Sequence, residues 1–253
     1  MGHAIERIAR ERGHEIVAII DIDNNADING EAFRSADAAI EFTTPATAPG
    51  NVIRAARAGV PVICGSTGWA SRREEVEEEV RKADGALLAS SNFSIGVNIF
   101  NIVSRKLASL MSHLPQYMPH MYETHHVHKL DHPSGTAITL AEGIIAENSR
   151  INSWADEGMV WIDESNASKT PQEIEASIEK PAMDADALPV LSFREGEIPG
   201  THTIDWDSPV DCITISHRAK SRDGFALGAV MAAEWIAGRK GIFTIDTMME
   251  ELL

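Results

Sequence analysis

The strongest constraint on this chain's fold is a rhythm in its first third, where short apolar, β-branched runs alternate with helical stretches. Residues 15–21 (EIVAIID), 38–42, 60–64 and 86–89 each read as a buried strand. Between them, residues 45–58 read as a helix with Thr44 as N-cap and Pro45 at the first helical position. Ser71-Arg72-Arg73-Glu74 has the form of a capping box opening a charged helix that runs to about Asp84. Strands separated by helices imply a parallel sheet covered on its faces, so the first part is expected to be a doubly wound α/β domain of the Rossmann type.

The rhythm changes after Asn92. A helix over 96–112, an extended stretch over 118–127 and a helix over 134–148 are followed by a polar, irregular region, 151–186. Strand-like runs then cover 188–193, 201–206 and 210–217. In the last, Ile213 and Ile215 alternate with Thr214 and Ser216, as in a sheet with one buried face. This middle part reads as a second, α+β domain. Residues 224–253 read as helical and are expected to pack back on the first domain. The expected division is 1–93 with 218–253 as one domain, and 94–217 as a second.

Charge limits the partners. A formal net charge of −16 argues against nucleic acid or an anionic membrane. A site for an anionic substrate must therefore be made positive locally. Two cysteines, Cys64 and Cys212, lie in no metal-type spacing and indicate no disulfide framework, which fits a reduced, cytoplasmic compartment. Residues 1–15 hold no apolar leader segment, and no apolar run approaches the roughly 18 residues that span a bilayer.

A Rossmann site needs a strand, a glycine-rich turn, a helix, a second strand and an acid at its end. Here only the latter half is visible, from Met1-Gly2 through a helix to Asp21, and the first strand of the sheet is missing. The Gly2-to-Asp21 spacing matches the roughly 20 residues between such a loop and its ribose-binding acid. By itself this stretch also describes an ordinary βα unit with an exposed Asp. Two further strand ends, Gly65-Ser66-Thr67-Gly68 and Ser90-Ser91-Asn92-Phe93, carry small polar residues where open α/β sheets bind ligands. No arginine lies among Ile22-Asp23-Asn24-Asn25, which favours NADH over NADPH.

The densest chemical signal is histidine. His120, His125, His126, His128 and His132 fall in thirteen residues, with Lys129 among them. Histidine exchanges protons near neutral pH, and a half-buried lysine can be tuned to do so. Ser134-Gly135-Thr136 then opens a helix, whose free N–H groups favour an anion. The set suits a small, multiply anionic substrate. Metal binding by His126 and His128, on one face of a strand, ranks lower because no suitably spaced Cys or acid completes the set. A solvated, His-rich loop is the bland alternative. The sequence leaves open whether Arg194 and His202 reach this site.

The run Glu123-Thr124-His125-His126-Val127-His128-Lys129-Leu130-Asp131-His132-Pro133-Ser134-Gly135-Thr136-Ala137 resembles the E-x-H-H-x-x-K-x-D-x-P-S-G-T-A pattern of the dihydrodipicolinate reductase family. Phe42-Thr43 with Pro45, Gly65 to Gly68, Asn92 to Asn98, and Ile215 to Ala219 with Ser221-Arg222 are similar to the family as well. The resemblance implies NADH- or NADPH-dependent reduction of a small cyclic dicarboxylate in lysine and diaminopimelate synthesis, by a homotetramer, with 1–93 and 218–253 as the dinucleotide-binding domain and 94–217 as the substrate-binding and tetramerisation domain. It implies acid–base and proton-donor roles for His125 and Lys129, and carboxylate binding by His126, Ser134, Gly135 and Thr136. It implies cofactor contacts from Met1, Gly2, Asp21, Phe42, Thr43, Gly65, Ser66, Thr67, Ser90, Ser91, Asn92 and Phe93. Two departures stand out. Ser66 replaces a frequent threonine, and the family's first strand and most of its glycine loop are absent. The start is therefore expected roughly ten residues upstream, with Met1 internal. A non-catalytic paralogue with a truncated cofactor loop is the alternative.

Overall fold

The computed structural model describes residues 1–179 and 181–253. In chain order the elements are α1 (Gly2–Glu11), α2 (Glu31–Arg34), β1 (Ala39–Glu41), α3 (Ala48–Arg57), β2 (Val62–Cys64), α4 (Arg73–Lys82) and β3 (Ala86–Ala89). They continue with α5 (Ile95–Met111), β4 (Met118–His125), α6 (Gly135–Glu147), β5 (Ser153–Trp161), α7 (Pro171–Glu175) and β6 (Ala187–Arg194). The chain closes with β7 (Thr201–Asp207), β8 (Cys212–Arg218), α8 (Asp223–Ile236), β9 (Gly241–Phe243) and α9 (Ile245–Leu252). They form two compact units, Met1–Asn98 with Asp223–Leu253, and Ile99–Arg222.

The first unit holds a four-stranded parallel sheet, ordered β1-β2-β3-β9. Its strands are apolar on both faces because helices cover both. Ile63 and Leu88 face a cluster with Ile5 and Ile8 of α1 and Ala229 and Val230 of α8. Val62, Cys64 and Leu87 face Val52 and Ala55 of α3 and Val76 and Val80 of α4. Period-2 strands between 3.6-period helices build this two-sided core.

Several expectations for local structure need correction. Residues 15–21 are extended but join no strand ladder. Strand β1 is the edge of its sheet, so among the described residues nothing pairs with them; Ile16, Ala18 and Ile20 are half-buried while Val17 and Ile19 are exposed. Helix α3 starts at Ala48 and not at Pro45. Pro49 has no N–H to donate to the Pro45 carbonyl, so the regular ladder begins later. No capping box opens α4, whose N-cap is Arg72 without a side-chain cap. A 3₁₀ turn (Ala70–Arg72) precedes it, and the Trp69 indole N–H donates to the Ser66 carbonyl. The last segment adds a strand, β9, and not only helix. The region 151–186 contains β5 and α7. A register shift between Asp156 and Gly158 breaks the side-chain alternation that would have revealed β5.

The second unit is built on a mixed sheet ordered β5-β6-β4-β7-β8, with β5, β6 and β4 parallel and β4, β7 and β8 antiparallel. One face packs Met121, Leu188, Ile204 and Trp206 against Phe100 and Ala108 of α5 and Leu140 and Ile144 of α6. On the other face, Tyr122, Leu191 and Phe193 pack with Ile174 of α7. The outermost strand, β8, is mostly exposed: Ile215 is half-buried, but Ile213 faces solvent, contrary to the one-face-buried reading.

Candidate active site

Strand register assembles the polar cluster of the second unit. In β4, Glu123 lies beside Ser192 of β6 on one side and His202 of β7 on the other. One pleat further on, His125 lies beside Arg194. Residues 121, 123 and 125 share a face, so Glu123 and His125 point the same way. Glu123, Ser192 and Arg194 are 0% exposed.

Every oxygen of Glu123 has work. Oε1 accepts from the Ser192 hydroxyl at 2.8 Å and stands 3.5 Å from Arg194 Nη1. Oε2 accepts from the Ser134 backbone N–H at 3.1 Å. It also lies 3.3 Å from His125 Nδ1, angled off a straight hydrogen bond, and 3.8 Å from His202 Nε2. Burial alone would raise this carboxyl's pKa. The donors from His125, Ser134 and Ser192 and the charge of His125 outweigh it and hold the group at about 2. His202 is pushed down to about 3, first by burial and then by His125, so its ring is neutral. Its Nε2 lies 3.2 Å from Ser134 Oγ.

Beyond β4 the chain turns. The Lys129 N–H donates to the His126 carbonyl at 3.1 Å, closing the turn that carries the lysine. The expectation that His126 and His128 share a strand face needs correction, because the strand ends at His125. The ammonium of Lys129 pairs with both oxygens of Asp131, at 2.8 and 2.7 Å. Burial would raise the Asp131 carboxyl, but Lys129 more than reverses this and lowers it. His126 is half-buried, its pKa lowered by burial and then by the charge of Arg222.

The histidine cluster is partly dispersed. His120 pairs with Glu175 at 3.2 Å, His128 with Glu197 at 3.0 Å and His132 with Asp156 at 2.9 Å. The folded chain adds Glu123 and Ser192, which the sequence reading missed, and brings in Arg194 and His202, which it left open. Glu123 was visible inside the motif, but only strand register reveals its partners.

Ser134 caps α6, its Oγ accepting from the Ala137 N–H at 3.2 Å. Gly135 is exposed, and a Cβ there would meet nothing within 4 Å, so the helix start opens onto free space. The first N–H groups of a helix lack intrahelical acceptors. A carboxylate can dock there, next to Thr136.

In the first unit, Phe42, Thr43, Gly65, Ser66, Thr67 and Ser90 to Phe93 of the expected cofactor residues follow the carboxyl ends of β1, β2 and β3, while Met1 and Gly2 open α1 and Asp21 ends the extended segment 15–21. The Thr43 N–H donates to Ser66 Oγ at 2.7 Å, and Ser90 Oγ accepts from the Asn92 N–H at 3.1 Å. Asp21 is exposed, and one of its oxygens accepts from the Ile22 N–H at 2.7 Å. Gly65 has a packing reason for its small size: a Cβ would fall 2.1 Å from the ring of Phe42, whose ring also lies 6.1 Å from that of Phe93. The segment after Asp21 holds no arginine of its own, but one reaches it from elsewhere in the chain. Arg54 of α3 reaches the following loop and donates to Asn25 Oδ1 at 2.5 Å.

Comparison with known proteins settles the family. Residues 1–93 match the family described as "Dihydrodipicolinate reductase, N-terminus", and residues 96–249 match "Dihydrodipicolinate reductase, C-terminus". The chain belongs to the dihydrodipicolinate reductase family. A 4-hydroxy-tetrahydrodipicolinate reductase of Christiangramia forsetii is 40% identical over 253 residues, covering 100% of this chain and 95% of that protein. One from Archaeoglobus fulgidus is 35% identical over 218 residues, 85% of this chain and 76% of that protein. Among solved structures, a dipicolinate-bound dihydrodipicolinate reductase from Paenisporosarcina sp. TG-14 shares the fold. Its TM-score is 0.62 at 18% identity, covering 93% of this chain and 82% of that one.

Dihydrodipicolinate reductases use NAD(P)H. The first unit fits such a group at several points. Gly2 opens α1, whose first N–H groups lack intrahelical acceptors. Asp21 is a solvent-facing acid at the end of an extended segment, and exposed or half-buried hydroxyls of Thr43, Ser66, Thr67 and Ser91 line the strand ends. As for metals, one triad among the described residues, Glu123, His125 and His202, brings its ligand atoms within 4.8 Å of one another. The buried guanidinium of Arg194 already supplies the positive charge there, and the Glu123 oxygens are taken by Ser134 and Ser192.

Proposed function

We propose that the second unit binds the substrate dicarboxylate between His126 and the start of α6, and that His125 and Lys129 manage the proton of the reduction. The chain is a 4-hydroxy-tetrahydrodipicolinate reductase, an NAD(P)H-dependent oxidoreductase of lysine and diaminopimelate synthesis. The observation that carries the residue assignment is the Glu123-centred cluster, which holds His125 at the end of β4 while the next turn presents Lys129.

The bound coenzyme supplies the hydride. Electron density left on the reduced, imine-conjugated ring must then be protonated. Among the described residues Lys129 Nζ pairs only with the exposed Asp131. A substrate carboxylate can compete for it, which turns the ammonium toward the ring. His125 lies against Glu123 through Nδ1, leaving Nε2 to face the Gly200 backbone and the substrate space. Gly200 has φ +153 and a Cβ there would come 3.0 Å from His125 Nε2, so glycine keeps that nitrogen accessible. Ser134 fixes the helix whose Gly135 and Thr136 N–H groups receive a carboxylate. Positive charge placed in advance stabilises the developing anion without reorganisation.

For the coenzyme, Met1 and Gly2 at the start of α1 are assigned to the pyrophosphate and Asp21 to the adenosine ribose. Phe42, Thr43, Gly65, Ser66, Thr67 and Ser90 to Phe93 are assigned to the remainder. Asp21 supports NADH, since a carboxylate suits a free 2′-hydroxyl. Arg54 beside Asn25 supports a second reading, that the 2′-phosphate of NADPH is accepted as well. The assembly proposed is a homotetramer. The test is a coupled assay with aspartate semialdehyde, pyruvate and the upstream synthase, following coenzyme oxidation. Lys129→Ala should lower kcat by about a hundredfold or more. Unchanged kcat in that variant removes the lysine from the mechanism.

A further inference from the structure

We infer that Arg194 is a positioning residue for Lys129, clamping the loop that carries it to β6, beside the end of the strand that carries His125; this rests on the roles given above to Lys129 and His125. A guanidinium at 0% exposure is costly to bury and persists only when its donors are matched. Here they are. Nε donates to the Lys129 carbonyl at 3.0 Å and Nη2 to the Asp131 carbonyl at 2.7 Å. Nη1 donates to the Phe193 carbonyl at 2.7 Å and stands 3.5 Å from Glu123 Oε1.

The two loop contacts straddle Leu130, whose side chain is 90% exposed, so no apolar anchor holds the loop at that point. The Lys129–Asp131 ion pair lies within the loop and ties it to nothing else. Arg194 thus supplies the side-chain hydrogen bonds that join residues 129–131 to the sheet. Its planar fork suits two carbonyls at once, which a lysine ammonium cannot reproduce in the same geometry. Glu123 completes the device. One oxygen faces Arg194 and the other faces His125 and Ser134, so one buried carboxylate sets the histidine, the start of the anion-binding helix and, through Arg194, the lysine loop.

The test is a double-mutant cycle in the coupled assay on the full chain, using Arg194→Lys, Lys129→Ala and the double variant. Arg194→Lys should lower kcat about tenfold or more and raise the solvent deuterium isotope effect on kcat, because proton delivery becomes slower. In the Lys129→Ala background the same change should cost less than about twofold. An equal loss in both backgrounds means a merely structural role and overturns the inference, as does wild-type kcat in Arg194→Lys. Wild-type kcat in Lys129→Ala refutes the catalytic assignment itself, and the inference with it. If Arg194→Lys does not fold, Arg194→Gln, which leaves Glu123 and its contacts to His125 and Ser134 in place, carries the same cycle. A separate readout is trypsin cleavage after Lys129. It should be faster in Arg194→Gln than in the wild type, and an unchanged rate contradicts the clamp.

Discussion

Replacing Glu123 by Gln should cost stability in a way that depends on pH. The carboxyl is held at about 2, against an ordinary value near 4.5, and is 0% exposed. A depressed folded-state pKa stabilises the fold above the unfolded pKa, and that stability is lost as pH falls through the folded one. The difference of roughly 2.5 units corresponds to about 3 kcal/mol at pH 7. Glutamine keeps the shape but cannot accept from Ser134, Ser192, His125 and Arg194 as a carboxylate does. Thermal melts of both proteins should therefore differ by roughly 6–12 °C at pH 7. The gap should narrow below about pH 4.5 and nearly close towards pH 2. A gap that is the same at pH 7 and pH 3 would refute the reasoning, because the charge of Glu123 would then contribute nothing.

Other predictions follow from single contacts. Ser134→Ala removes the cap of α6 and should cost about 1 kcal/mol in urea unfolding while raising the substrate KM more than it lowers kcat. Arg54→Ala should weaken NADPH binding about tenfold in fluorescence titration and leave NADH within about twofold, since one lost charged contact to the 2′-phosphate is worth about 1.4 kcal/mol; equal weakening of both would assign Arg54 a structural role only. Gly228→Ala places a Cβ 1.7 Å from the Phe93 carbonyl oxygen, and should lower stability by about 1–3 kcal/mol or more, measured by denaturant midpoint.

How far the sequence carried the account depends on the range of the forces involved. Strands β2 and β3 and helix α6 were legible because their signals are local: continuous apolar runs, and a serine cap ahead of a glycine. Residues 15–21 carry the same β-branched signal, yet they form no strand, because a strand also needs a neighbour to hydrogen-bond. Strand β5 was hidden by its bulge, and β9 by its three-residue length. In the site, the motif exposed His125, Lys129 and Ser134 directly. The environment of Glu123 was invisible, since Ser192 and His202 reach it only through register across three strands. The histidine count overstated the basic cluster, because His120, His128 and His132 are each drawn to an acid distant in sequence.

The most direct test of the central claim, reduction of the cyclic dicarboxylate by this chain, is a mass measurement. The full chain is supplied with the upstream synthase, aspartate semialdehyde, pyruvate and coenzyme deuterated at both C4 positions of the nicotinamide ring. The account predicts a tetrahydrodipicolinate one mass unit heavier than that made with ordinary coenzyme, formed at a rate that collapses in Lys129→Ala. Product that carries no coenzyme-derived deuterium, or no product at all, would contradict it.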